Sequence, residues 1–437
     1  MIEQFQNHIN TRFSFLKNSR LLIAISGGID SVVLTHLCHQ LKLNIALAHC
    51  NFNLRGDESD TDEDFVFQLA EDLDLEVFIE SFDTNAYAKE HKLSIQMAAR
   101  DLRYHWFQEL KDQLKFDYIL TAHHADDNLE TFLINLSRGT GLNGLTGIPE
   151  INGAIVRPLL LFSVQDIETY AKEHRVTWRD DSSNASRKYL RNKLRHDVIP
   201  VLKEINPQLL QNFQTTLNNL NDTADIVDDS LNAVLKRAIV TIDVNTLKFK
   251  ISEFKTLKNP KAYLHEFLKD FGFTEWNDIV NLLDAQSGKQ VFSSTHRLLK
   301  DRDYLILTDI TSSEESQVIT ITENDTNIQI PSGILHFNQV DAMSTTKSGI
   351  LYVDKALLDY PLFVRKWQEG DFFYPLGMNG KKKLSKYLKD EKLSLIEKEN
   401  IWLLTSGDDI VWVIGKRADN RFKVTEQTKH ILKIELQ

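Results

Sequence analysis

The chain is short of cysteine, of net positive charge and of long apolar runs, and each shortage removes a class of function. Cys38 and Cys50 are the only cysteines in 437 residues and form no CxxC pair, so neither a disulfide framework nor a zinc or iron–sulfur site is expected. No apolar run approaches the ~20 residues of a membrane span, and Met1–Asn10 lacks the basic segment and apolar core of a secretory leader. The expectation is a cytoplasmic protein with no membrane partner. A net charge of −11 argues against nonspecific wrapping of nucleic acid, whose affinity comes mainly from Lys and Arg displacing counterions. A polynucleotide would have to meet local basic patches. Two are present, one from Arg187 to His196 (RKYLRNKLRH) and one from Lys381-Lys382-Lys383 through Lys386 and Lys389. There is no internal repeat, no low-complexity tract and no glutaminase half.

What is present is an alternation of apolar runs and helical patterns in the first half of the chain, which predicts an α/β fold with a doubly wound parallel sheet. Strands are expected at Leu21–Ser26, Asn44–His49, Glu76–Glu80 and Tyr118–Thr121, with helices at Ser31–Leu41, Ser59–Leu73, Ser94–Leu114 and Ala125–Ser137. Ligands in such folds bind at the carboxyl ends of the strands. From about Asp222 to Leu283 the texture turns helical, followed by short strands at Val291–Ser294, Tyr304–Leu307, Val318–Thr322 and Asn327–Ile330. Ser344–Ser348 reads as a linker. These shifts divide the chain into residues 1–215, a helical middle domain over 216–345, and a small α+β domain over 346–437.

The most informative segment is Leu21-Leu22-Ile23-Ala24-Ile25, followed by Ser26-Gly27-Gly28-Ile29-Asp30-Ser31 and then by a helical pattern. Two adjacent glycines let the backbone turn with its N–H groups inward, and the helix start adds the positive end of a dipole, so the loop suits an anion. The lysine of a GxxxxGK[ST] loop, which reaches the β and γ phosphates, is missing. A plain Gly-Gly turn would also join strand to helix, but the ordered set Ser-Gly-Gly-x-Asp-Ser favours a nucleotide pyrophosphate site.

Three further constellations fall past strand ends or on helices. His49 and Asn51, in Ala48-His49-Cys50-Asn51-Phe52-Asn53-Leu54-Arg55-Gly56, either line the nucleotide pocket or form a polar turn. Arg100 and Arg103 lie three residues apart, on one side of a helix, where they clamp an anion or form a solvated face. Thr121-Ala122-His123-His124-Ala125-Asp126-Asp127-Asn128-Leu129-Glu130-Thr131 enters a helix with His123 and Asp127 one turn apart and Asp127 and Glu130 on one face. Carboxylates so close repel unless a cation sits among them, which suits Mg²⁺, a hard ion that shares oxygen ligands with phosphate. Helix capping alone would need fewer acids.

The Ser-Gly-Gly-x-Asp-Ser loop resembles that of the N-type ATP pyrophosphatases, or PP-loop enzymes, which cleave ATP between the α and β phosphates. The run H-H-x-D-D-x-x-E-T with Arg138-Gly139-Thr140-Gly141, then Asp180-Asp181-Ser182-Ser183-Asn184 and Arg191-Asn192-Lys193-Leu194-Arg195-His196, narrow the resemblance to the tRNA(Ile)-lysidine synthetases. It returns at Arg365–Met378, with Gly370-Asp371 and Pro375-Leu376-Gly377, and at Lys381–Leu384. Phe372 departs from the family where a basic residue is frequent, and Lys398 where an arginine is usual.

The resemblance implies a cytoplasmic ligase forming a carbon–nitrogen bond. ATP activates C2 of the wobble cytidine in the CAU anticodon of tRNA(Ile) as an adenylate, and the ε-amine of free L-lysine displaces AMP. It implies ATP contacts from Ser26, Gly27, Gly28, Ile29, Asp30, Ser31, His49, Asn51, Arg100 and His123, and Mg²⁺ at Asp30 and Asp127. Catalytic roles are implied for Asp30, Asp127, Glu130, Arg191 and Arg195. Lysines interleaved with Trp367, Tyr374 and Tyr387 suit RNA, giving charge for phosphates and rings for bases. Oligomeric state stays open, a homodimer being one arrangement. Two other readings stay open as well, a PP-loop tRNA thiolase and a noncatalytic tRNA-binding protein that ATP stabilises. Paired cysteines for a cluster, expected of cytidine thiolases, are not matched by Cys38 and Cys50.

Overall fold

Leu21, Leu22 and Ile23 are completely buried, as a strand covered on both faces must be, and they form the centre of β1 (Arg20–Ala24). The computed structural model describes residues 1–179, 190–243, 246–310, 318–344, 349–378 and 380–437. They form two compact units, Met1–Asp228 and Asp229–Gln437.

In the first unit β1 is joined by β2 (Asn44–Asn51), β3 (Val77–Ser81), β4 (Tyr118–Leu120), β5 (Ile151–Asn152) and β6 (Ile155–Val156) in the order β3-β2-β1-β4-β6-β5. All neighbours run parallel except the edge pair β5–β6. The helices are α1 (Ile2–Arg12), α2 (Ile29–Gln40), α3 (Asp57–Asp72), α4 (Thr84–Glu90), α5 (Ile95–Leu114), α6 (Ala125–Arg138), α7 (Leu142–Leu145) and α8 (Val164–Glu173).

Alternate residues of β1 feed opposite faces, as the period-two geometry of a strand requires. Leu21 and Ile23 pack with Phe5 of α1, Val33 and Leu37 of α2, Val66 of α3 and Ile167 of α8. Leu22 packs on the other face with Trp106 and Phe107 of α5. The sheet is therefore doubly wound. The expected four strands are all present, but the first ends at Ala24, two residues early, because Ser26 already belongs to the turn. The two-residue strands β5 and β6 carry too little periodicity to be read in advance.

Beyond α8 the described chain resumes with α9 (Leu190–Lys193), a π-helical turn over Leu194–Val198, α10 (Ile199–Ile205) and α11 (Leu209–Ala238). Asp180–Asn184 and Arg187–Tyr189, which contribute to the sequence motifs, lie outside the described residues.

In the second unit three short helices, Ile251–Lys255, Pro260–Leu268 and Trp276–Asn281, accompany a five-stranded antiparallel sheet. Their Phe254, Leu264, Leu268 and Ile279 share a core with Leu298, Leu305 and Leu307 of that sheet. Gln290–Phe292 and Tyr304–Asp309 belong to it. The other two strands expected in the middle region pair elsewhere. Ile319–Ile321 pairs with Leu362–Lys366, and Asn327–Ile330 with Gly333–Val340, which pairs in turn with the final strand Ile431–Leu436. Alternation identifies a strand without identifying its partner. Of the linker Ser344–Ser348, only Ser344 lies among the described residues.

Candidate active site

The strand order reverses at β1, which pairs with β2 on one side and β4 on the other, and the crevice outside the carboxyl ends at such a point is where open α/β sheets bind ligands. The chain leaves β1 through Ser26 and turns at Gly27, whose φ of +83° lies in the left-handed region. Gly28 then precedes α2 with extended backbone and no side chain to cap the helix, so the first-turn N–H groups stay available to a ligand. Ser31 braces the turn from inside: its Oγ donates to the Gly28 carbonyl at 2.9 Å and accepts from the Ser26 N–H at 3.2 Å. A second tether is Arg179, whose backbone N–H donates to the Gly27 carbonyl at 2.9 Å. The Arg179 side chain bonds buried Asp62 at 3.1 Å, and Asp62 also holds Arg55 at 2.8 Å.

Across the crevice the chain leaves β4 through Thr121 and His123 and enters α6. His124 caps that helix in a reciprocal arrangement with Asp127: the Asp127 N–H donates to Nδ1 of His124, and the His124 N–H donates to Oδ2 of Asp127 at 3.1 Å. Nε2 of His124 lies 3.4 Å from Oδ2 of Asp127 and 3.8 Å from Oδ2 of Asp30. The loop after β1 and the motif after β4 therefore converge on one point.

The two adjacent aspartates do different work. Asp126 turns away, accepting the Val164 N–H at 2.9 Å and pairing with Lys203 of α10, so it fastens α6 to α8 and α10. Asp127 faces the crevice, with Oδ1 accepting from Arg195 at 3.0 Å. Burial pushes the Asp127 carboxyl up, but His124, His123 and Arg195 outweigh it and hold the group below the usual carboxylate range.

Glu130 is only 1% exposed, which would be prohibitive for an unpaired carboxylate. Arg195 donates to both of its oxygens, at 2.6 and 3.1 Å, and Nε of Arg191 lies 3.2 Å from Oε2. Burial pushes the Glu130 carboxyl upward against the pull of these two guanidiniums. Arg191 also donates to Thr131 at 2.7 Å. The segment from α9 to α10 is thus pinned onto α6 by its basic residues.

Burial likewise raises Asp30, chiefly against His124, and its Oδ1 is buried without a hydrogen-bond partner. A desolvated carboxylate oxygen left open is costly unless a ligand completes it. Asp30 and Asp127 fit a magnesium ion held by one or two carboxylates, with phosphate and water oxygens filling its shell. Among the described residues no group of three or more His, Cys, Asp or Glu side chains could hold a metal alone.

The remaining expected nucleotide residues divide. His49 is buried, its Nδ1 3.0 Å from the Ile25 carbonyl just before the loop, and burial keeps the ring neutral by lowering its pKa. Asn51 is fully engaged with protein, donating to Asp60 and Glu63 and accepting from the Asn53 N–H, so its placement is that of a loop brace. Arg100 is exposed on α5, its guanidinium carbon 4.7 Å from the Tyr104 ring centre. His123 is driven down to about 4 by burial, with Arg157, Arg191 and Arg100 adding to the effect against Asp127.

Sequence reasoning missed His124 as the hub, although the His-His doublet displayed it, and it missed Asp62, which looked like one more acid on a solvated helix. Lys203 and Arg157 stood outside every motif. In the second unit Tyr387 is 4% exposed and packs edge-on against Phe373. This corrects the expectation that its ring is open to bases. Trp367 donates to the Lys398 carbonyl at 2.7 Å and is half-buried. Lys381 lies over the Phe372 ring, so a cation reaches the position where the chain itself has phenylalanine.

Comparison with known proteins agrees with this fold. Residues 1–202 match a family described as "PP-loop domain", 242–310 the "TilS substrate binding domain" and 362–436 the "TilS substrate C-terminal domain". The tRNA(Ile)-lysidine synthase of Parabacteroides distasonis is 42% identical over 427 residues, covering 96% of each chain. Those of Bacteroides thetaiotaomicron and Porphyromonas gingivalis are 39% and 37% identical, covering 97% of both chains and 96% and 94% respectively. On its fold, on the site at the sheet's switch point and on full-length similarity, the chain belongs to the tRNA(Ile)-lysidine synthase family.

Proposed function

We propose that the chain joins lysine to C2 of the wobble cytidine in the CAU anticodon of tRNA(Ile), using ATP and releasing AMP and pyrophosphate. The observation that carries this reading is the meeting of Asp30, His124 and Asp127 beside the glycine turn. The cytidine C2 oxygen attacks the α phosphate, and the bond to the β phosphate breaks. Backbone N–H groups of the turn and the first turn of α2, from Gly27 to Ser31, stabilise the charge that grows on the departing pyrophosphate. Arg100 and His123 face the same phosphates, while His49 supports the loop from behind.

In the second step the lysine ε-nitrogen forms a bond to C2 and the bond from C2 to the adenylate oxygen breaks. The ammonium must first lose a proton. Asp127, ionised and half-buried, holds the amine or accepts that proton, while Glu130 orients Arg195 and Arg191 toward the nucleotide. Mg²⁺ would sit on Asp30 and Asp127 and neutralise phosphate charge. Residues 1–215 then serve as the ATP-binding part, 216–345 as the substrate-binding part and 346–437 as a tRNA-binding part, with the strands Ile319–Ile321, Asn327–Ile330 and Gly333–Val340 joining the sheets of the last part. All assigned residues lie within Met1–Asp228, and a homodimer is one arrangement in which the chain would work. No described helix is long and apolar enough to cross a membrane, which is consistent with a cytoplasmic enzyme.

The test combines labelled lysine, ATP and either a tRNA(Ile) transcript or a methionine tRNA sharing its anticodon. Label should enter the first and spare the second, with AMP and pyrophosphate as products. Formation of ADP, or label in neither RNA, overturns the reading.

A further inference from the structure

Arg157 follows β6, whose register with β4 brings Val156 opposite Leu120, and the Val156 carbonyl accepts the Thr121 N–H at 3.0 Å. It therefore stands at the carboxyl edge of the sheet, one strand beyond the exit of β4 and two beyond the glycine turn. The residue is 5% exposed. One terminal nitrogen donates to the Pro149 carbonyl at 2.7 Å, Tyr104 of α5 hydrogen-bonds the guanidinium, and Nε is buried with no partner. Among the described residues no carboxylate pairs with it. Apart from Tyr104, the charged side chain that bears on it is Arg100, of its own sign. A buried guanidinium with an open donor is costly, and a second guanidinium nearby adds to the cost, so this arrangement suits an anion that arrives from outside.

We propose that Arg157 binds the α-carboxylate of the amino-acid substrate, with Tyr104 as the residue that positions its guanidinium. The proposal rests on the function given above. Triphosphate is assigned to the turn after β1, which leaves the β4–β6 side of the crevice for the second substrate. Adjacent strands lie about 4.8 Å apart. An extended lysine reaches roughly 7 Å from carboxylate carbon to ε-nitrogen, counting six single bonds of about 1.5 Å. A carboxylate anchored past β6 therefore delivers its amine to the acid cluster past β4. Planar recognition of a carboxylate is the geometry at which arginine excels.

Cadaverine, which is lysine without the carboxylate, is the diagnostic probe. The wild-type full-length chain should use or bind lysine at least tenfold better than cadaverine. Arg157→Gln should raise the KM for lysine at least tenfold and remove the preference over cadaverine, while single-turnover release of pyrophosphate with ATP and tRNA, lysine omitted, persists. Tyr104→Phe, which keeps the ring and spares the buried arginine, should lower the same preference severalfold, so a folding defect in the first variant does not end the test. An unchanged lysine KM in Arg157→Gln with a normal melting temperature overturns the proposal. Equal loss of pyrophosphate release also overturns it, because the anion would then be a phosphate of ATP or RNA. Failure of the wild type to label tRNA would sink the functional reading separately. Equilibrium binding of lysine against cadaverine, without RNA, still decides Arg157: equal binding of the two by the wild type rejects it.

Discussion

Oδ2 of Asp30 lies 3.8 Å from Nε2 of His124, and this approach ties the first turn of α2 to the residue that caps α6. The separation is too long for a direct hydrogen bond, so the two groups act on each other through charge. It also leaves Oδ1 of Asp30 open. His124 meanwhile lies 3.4 Å from Asp127, so the loop proposed to grip pyrophosphate and the carboxylate proposed to meet the second substrate share one histidine.

Asp127→Asn is the sharpest probe of that sharing. Asparagine keeps one oxygen for the Arg195 contact or for the helix cap but loses the charge that a proton acceptor and a cation ligand both need. Lysine incorporation should fall by roughly a hundredfold or more, while tRNA binding in a filter assay stays within about twofold. Wild-type turnover in the variant would remove Asp127 from the chemistry.

His123 gives a pH signature. Its imidazole titrates near 4 in the folded chain against an ordinary 6.5, so between these values the unfolded chain holds the extra proton. The stability this group contributes is complete above pH 6.5 and is lost as pH falls toward 4, with a ceiling of about 3 kcal/mol. Urea unfolding of wild type and His123→Gln at pH 4.5, 5.5 and 6.5 tests this. The variant should show a shallower rise of unfolding free energy with pH. Parallel curves would mean that His123 titrates as in water.

Much of this architecture was legible because its signals are local. The glycine turn, the acidic helix start and the four central strands are all carried by contiguous residues, and the structure places them at one crevice. What stayed hidden depends on contacts distant in sequence. Nothing near Arg157 reveals that β6 sets it beside β4, and nothing near Asp126 tells it from Asp127 until Lys203 and Val164 are seen to claim it. The same limit explains Ile319–Ile321 and Asn327–Ile330, found as strands but joined to partners far down the chain, and Tyr387, whose burial against Phe373 no local pattern announces.

Gly27→Ala separates the turn's shape from its side-chain chemistry. A Cβ at this position would meet Phe65 at 3.5 Å and Arg179 at 3.8 Å, ordinary contacts that a methyl group tolerates. The obstacle is the φ of +83°, which costs an L-residue about 1–2 kcal/mol. Relief would come by rotating the peptide, and that turns N–H groups away from the crevice and breaks the bond from Arg179 to the Gly27 carbonyl. The variant should therefore unfold at lower denaturant by about that free energy and lose single-turnover pyrophosphate release by an order of magnitude or more. Lysine binding, assigned to the far side of β4, should change little. If the variant loses stability but releases pyrophosphate at the wild-type rate, the backbone of this turn does not hold the leaving group.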